Sequence, residues 1–140
     1  MQEEYLIDVS SSLTDENDKK EFRITTNAQF AGQDDDYTII YSDMDDDMKA
    51  CTTSLHVQNG SMITIKREGG AISHIILEKE KRHISQHSTP YGMFTMGTCA
   101  EDIRSTIHGG SGTLYFRYTT DIDMMPVSIM EFNITLSKRN

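Results

Sequence analysis

Between Glu21 and Gly32 the apolar residues Phe22, Ile24, Ala28 and Phe30 alternate with Glu21, Arg23, Thr25, Asn27 and Gln29. A period of two marks a strand with one face buried and the other wet. Tyr5, Ile7, Val9 and Leu13 form a similar stripe ahead of a polar turn from Thr14 to Lys20, and Tyr37, Ile39 and Tyr41 form a third. Leu55 and Val57, on one face with Cys51, mark a fourth strand, and Asn59-Gly60 is a two-residue hairpin turn of the favoured kind. Ile63 and Ile65 carry the next strand, which Gly69-Gly70 closes.

Further on the period weakens. Ile75 to Leu77, Ile84, the pair Phe94 and Met96, and the pair Ile103 and Ile107 predict four short strands. The alternation returns at Leu114, Phe116 and Tyr118 after the Gly109 to Gly112 turn, and Pro126 begins the last strand. There Val127 and Ile129 are odd-numbered while Met130, Phe132, Ile134 and Leu136 are even. The inward face therefore changes phase, and the pattern predicts a β-bulge near Met130. Glu78 to Arg82 and Cys99 to Thr106 have room for one helical turn each at most. Short strands, close turns and no helical crossover predict an all-β, antiparallel meander β-barrel of about eight to ten strands, formed by residues 1–140 as one domain.

Composition narrows the functional classes. The formal charge is −9, and residues 1–50 hold fourteen acids against four bases, while the remainder is nearly balanced. Phosphate backbones and anionic lipid repel such a surface, so neither nucleic acid nor membrane is an expected partner. The start Met1-Gln2-Glu3-Glu4 lacks the basic and apolar runs of a signal peptide, which predicts a cytoplasmic protein in which Cys51 and Cys99 stay reduced.

One turn signature is more specific than the periodicity. In Thr89-Pro90-Tyr91-Gly92 the proline fixes its φ and extends the residue before it, while the glycine permits positive φ. The segment joins strand candidates His83 to Ser88 and Met93 to Thr98. Together with Tyr41 and its acidic loop, Ile63 to Gly69, His83-Ile84-Ser85, Gly112 to Tyr118 and Asn133 to Leu136, it resembles the YwiB-like family of small bacterial proteins, classed with the calycins. The resemblance runs from about Tyr5 to Leu136 and implies a lipocalin-like barrel of unassigned function. Many lipocalins place a Trp near the end of the first strand, and this chain has none.

Arg67 is the first candidate site residue. Period two puts it on the face of Ile63 and Ile65, so an inward isoleucine pair carries the guanidinium inward too. A buried cation needs a partner, either a structural acid or the anionic head group of a ligand. Tyr41, Tyr91 and Tyr118 are the next candidates, since a phenol joins apolar bulk to one polar handle, and each equally suits simple filling of the barrel. Asp43, Asp45 and Asp47 have the spacing that opens an EF-hand loop, but Met48 stands where glycine is needed and Ser54 where glutamate is needed. His56, His74, His83, His87 and His108 lack metal-ligand spacing, and catalytic signatures are absent, so no metal, cofactor or catalytic residue is assigned.

Two readings follow, with an enzyme of unfamiliar type behind them. The leading one is a non-enzymatic module holding a small molecule in the lumen or mouth, in an interior pocket to which Arg67 contributes. The alternative is a protein-interaction or structural barrel whose acidic face steers a basic partner. Monomer and homodimer are both compatible with the sequence.

Overall fold

The computed structural model describes residues 5–44, 50–69, 73–89 and 92–139, and excludes the side chains of residues 43, 44, 73 and 86–89. Ten strands form one sheet: β1 (Tyr5–Thr14), β2 (Lys19–Gln33), β3 (Asp36–Met44), β4 (Ala50–Gln58), β5 (Met62–Glu68), β6 (Ser73–Glu78), β7 (Arg82–Thr89), β8 (Gly92–Ser105), β9 (Gly112–Ile122) and β10 (Met125–Lys138). Their order is β6-β5-β4-β3-β2-β1-β10-β9-β8-β7, and every pairing within it is antiparallel. The expected meander barrel is present and nearly closed, with neighbours in sequence adjacent in space, and the β1–β10 pair joins the two ends of the chain.

The alternation read from the sequence matches the burial. Ile7, Val9, Tyr37, Ile39, Leu55, Val57, Ile63 and Leu77 all point inward and are buried. Two departures share one cause. The pairs Phe94–Met96 and Ile103–Ile107 do not start separate strands: β8 runs unbroken to Ser105, and Cys99 to Thr106 holds no helical turn. A bulge between Ala100 and Asp102 shifts the inward set from even to odd numbers and so splits the apparent pattern. On β10 the register shift lies between Pro126 and Ser128, earlier than Met130. The extra residue there is Val127, so Ile129 pairs with outward Thr119 and does not join the inward face.

The end of the barrel that holds the start of β1 and the end of β10, here the lower end, is packed shut. Ile107 is buried beneath the strands, Tyr37 Oη lies 2.8 Å from Ser105 Oγ, and Asp34 accepts the Gly109 N–H at 3.0 Å and contacts His108. The Gly109 N–H, with His108, holds the Asp34 carboxyl below its ordinary value. Two ring clusters fill the interior above: Phe30 stands 5.5 Å from both Tyr5 and Tyr37, and Phe116 and Phe132 stack at 4.8 Å beside Tyr118.

The barrel closes at a seam of different character. Strand β6 meets β8: Lys79 bridges Ala100 in parallel, Glu80 N–H donates to the Ala100 carbonyl, and Thr98 Oγ1 donates to the Ile76 carbonyl at 3.0 Å. Strand β7 runs past this closure, bonded to β8, and its inward His83 reaches Glu78 on the outward side of β6. A groove of about 140 Å³ separates them, lined by His74, Ile76, His83, Ile84, Ser85 and Thr98.

Arg82 clamps this hairpin to the barrel. Its guanidinium crosses the backbone of β8 at Gly97, where any Cβ would come within 2.4 Å of Nε, and donates two hydrogen bonds to Asp121 on β9 at 2.9 and 2.6 Å. The Arg82 bond holds the Asp121 carboxyl below its ordinary value of 3.8. Folding thus favours the ionised form, and its stabilisation is present above the ordinary value and lost as pH falls through the depressed one. Asp121→Asn is expected to flatten the dependence of unfolding midpoint on pH below about pH 4. Equal acid slopes for variant and parent in urea titrations would refute this linkage.

Candidate functional site

Side chains on the inner face of β3 to β6 form tiers, because antiparallel register aligns them across neighbouring strands. The lowest tier, Tyr37, Val57, Ile63 and Leu77, is buried and apolar but for one phenol. The second is Ile39, Leu55, Ile65 and Ile75. The third changes character to Tyr41, Thr53 and Arg67. Across the lumen, five places along the sheet order, β9 follows the same course from Leu114 and Phe116 to Tyr118 and Thr120. The interior is therefore apolar below and polar above.

Thr53 is the residue that sequence reading passed over. It is 3% exposed, and its Oγ1 has no hydrogen-bond partner among the described residues. A hydroxyl buried without a partner costs about 1–3 kcal/mol relative to a satisfied one. The signal was present in the alternation, since Thr53 lies between Cys51 and Leu55 on the face those residues define. Its pairing partners are Tyr41 on one side and Arg67 on the other.

The fold brings Arg67 and Tyr41 onto one tier, flanking Thr53. Arg67 is half-buried and Tyr41 is buried. Tyr118 is on the opposite wall, in the ring stack with Phe116 and Phe132, and burial pushes its phenol up to about 12. It stays neutral and retains its proton for donation across the physiological range. Pro90, Tyr91 and the side chain of Thr89 lie outside the described residues, as do the side chains of the Asp43 to Asp47 loop, whereas Gly92 has the left-handed φ of 124° that the turn signature called for. Cys51 and Cys99 are not joined in a disulfide, and the first is buried on the inner face beside Thr53. Among the described residues no three of His, Cys, Asp and Glu are grouped to hold a metal ion, and no helix is long and apolar enough to cross a membrane. Arg67 does not line the seam groove, which is set apart from this tier.

Near the upper rim the inner face of β1, β2 and β8 to β10 turns apolar and open: Phe22 and Met125 are exposed there, Met125 in register with half-buried Ile122 and Met96, and Met130 is half-buried nearby. The mouth thus has a polar wall on β3 to β5 and an apolar wall facing it.

These features define a ten-stranded meander barrel sealed at one end, with a polar tier below its other mouth. The chain belongs to the family described as a domain of unknown function (DUF1934), whose model matches residues 7–134. Its fold is similar to that of the ywiB protein from Bacillus subtilis, seen in a crystal structure, with a TM-score of 0.82 over 99% of this chain and 93% of that one. Identity between the two is 14%, so the likeness concerns the fold alone. No curated protein matches the sequence.

Proposed function

We propose that the barrel is a binding module for a small molecule with an anionic head and an apolar body, held in the upper lumen. The observation that carries this reading is the buried Thr53 hydroxyl, without a hydrogen-bond partner among the described residues, between Tyr41 and Arg67. A donor kept dry without a partner is costly in the empty protein, and a ligand oxygen accepting from it removes that cost. Arg67 adds a planar, permanently charged donor fork suited to a carboxylate. The apolar rim of Phe22, Met96, Ile122 and Met125 supplies a surface for the body of the ligand. Tyr118, a neutral donor in a dry wall, contributes orientation and no charge.

The test couples ligand screening to two substitutions. Native mass spectrometry of freshly purified protein is expected to reveal a co-purifying small acid, and octanoate serves as a defined probe in calorimetric titration. Thr53→Val, which keeps the shape of the side chain, is expected to raise the stability of the empty protein by about 1 kcal/mol and to weaken octanoate binding roughly tenfold or more. Arg67→Met is expected to abolish octanoate binding. Absence of any bound acid together with absence of octanoate heat from the parent protein would sink the proposal.

A further inference from the structure

We infer that the tip of the β9–β10 hairpin is a docking surface for a protein segment that presents apolar side chains beside lysines or arginines, as a basic amphipathic helix does. Hairpins that turn on two residues of positive φ ordinarily take Asn-Gly there, and the β4–β5 turn does so, with Asn59 at 54° and Gly60 at 64°. The β9–β10 turn has the same geometry, but Asp123 at 51° and Met124 at 72° make it. A long side chain in the left-handed region costs stability that glycine would not. Packing does not offset the cost, because Met124 is 72% exposed. The chain therefore holds a flexible thioether in water at the apex of a hairpin, and methionine is the side chain best able to mould itself to a partner.

Its neighbours share the exposure. Met125 and Val127 are 71% and 36% exposed, and the Asp123 N–H donates to the Thr95 carbonyl of β8 at 3.2 Å, which sets the turn near Met93, 68% exposed. Pairing with β1 begins only at Ile129, so residues 125–128 run beyond the end of that strand. The charge around this apolar patch has one sign. From Tyr118 to Ser137 the sequence holds no lysine or arginine. Asp123 is in the tip itself, and the β1–β2 turn, next along the sheet order, adds exposed Asp15, Glu16 and Asp18. Lys19 is paired with Glu21 and Arg82 with Asp121, which leaves Lys20 beside those acids. Apolar anchors in an acidic surround select a partner of opposite charge: its cations meet the carboxylates and guide the approach, and its apolar face covers the methionines. So few anchors make a small, transient interface, with affinity in the micromolar range.

The probe is a labelled peptide of about 18 leucines and lysines in amphipathic order, titrated with the full chain at physiological salt and followed by fluorescence anisotropy. Saturable binding is expected, and none for the same peptide with glutamate in place of lysine. Met124→Gly is expected to raise the thermal unfolding midpoint and yet weaken binding of the lysine peptide roughly tenfold or more. Neutralising two acids at the tip, Glu16→Gln with Asp123→Asn, is expected to weaken it severalfold, whereas the same charge change at the sealed end, Asp35→Asn with Glu80→Gln, leaves it unchanged. No binding of the lysine peptide overturns the inference, as does equal binding of the glutamate peptide. Equal loss from both charge pairs also overturns it, since that marks unspecific attraction to an acidic protein. A Met124→Gly variant that binds like the parent, or that unfolds at a lower temperature, assigns the methionine to packing and refutes the docking role. A dimer of the parent that Met124→Gly dissolves gives the tip to a second copy and refutes it as well. Octanoate binding by Met124→Gly is expected to match that of the parent, so the lumen reading and this one fail separately.

Discussion

Phe116→Ala is expected to lower the unfolding free energy by roughly 3–5 kcal/mol, the largest effect of any single truncation considered for this barrel. Phe116 is completely buried, and its ring stacks on Phe132 at 4.8 Å and stands 6.2 Å from Tyr118. Removing it loses the transfer energy of the ring and opens a cavity that three strands, each fixed by ladder hydrogen bonds on both sides, cannot collapse to fill. Phe22→Ala provides the internal comparison, because the same chemical change falls on a half-exposed ring at the upper rim. Its cost is expected to stay near or below about 1 kcal/mol. Urea unfolding of both variants measures the difference, and similar losses would contradict the assignment of Phe116 to a packed core. The stack also forms the floor under Tyr118, so the truncation is expected to loosen that phenol within the upper lumen.

Gly32→Ala is expected to cost roughly 2–4 kcal/mol through the backbone, with no loss of apolar contact. Gly32 adopts φ of +127°, and a Cβ there would stand 2.3 Å from the Asp36 carbonyl oxygen and 2.6 Å from the Tyr37 Cα. Both are main-chain atoms of β3, opposite Gly32 in the register, so no side chain can swing away to make room. Relief requires β2 and β3 to part next to their turn. That movement carries Tyr37 with it and breaks its contact with Ser105, loosening the sealed lower end. Gly60→Ala is the control: φ is also positive, but nothing lies within 4 Å of the added atom, and the penalty is expected to be about 1 kcal/mol. Thermal unfolding distinguishes the two, and a Gly32→Ala variant as stable as Gly60→Ala would show that β2 and β3 adjust freely.

What the sequence conveyed depended on whether period two ran without interruption. Strands β1 to β5 and β9 read clearly because each has one dry and one wet face. Strand β8 read as two pieces because its bulge reverses the inward parity within one strand, and the β10 bulge was placed late because Ile129, apolar yet outward, imitated the odd phase. For the candidate site, Arg67 and Tyr41 were legible from the same parity, while Thr53 was not sought because a threonine in a β-strand is unremarkable by composition. Its significance comes from a bond it fails to make, and only packed coordinates reveal that. The seam was beyond sequence reading altogether, since which strands end a sheet depends on pairings between distant segments.

The pairing of β1 with β10 sets Tyr5 opposite Lys138, so the first and last strands are neighbours within the sheet, while the sheet's own two ends meet at the turn around Glu80, between β6 and β7. Connectivity and architecture are thus offset, with six strands on one side of the β1–β10 junction and four on the other. If the termini were joined and the chain reopened at that turn, every hydrogen-bonded strand pair in the order would lie between consecutive segments, and the one pairing that now spans the entire polypeptide would become local. The barrel in its present connectivity therefore commits its first and last strands to each other, and the fold is complete only when the final strand has been made.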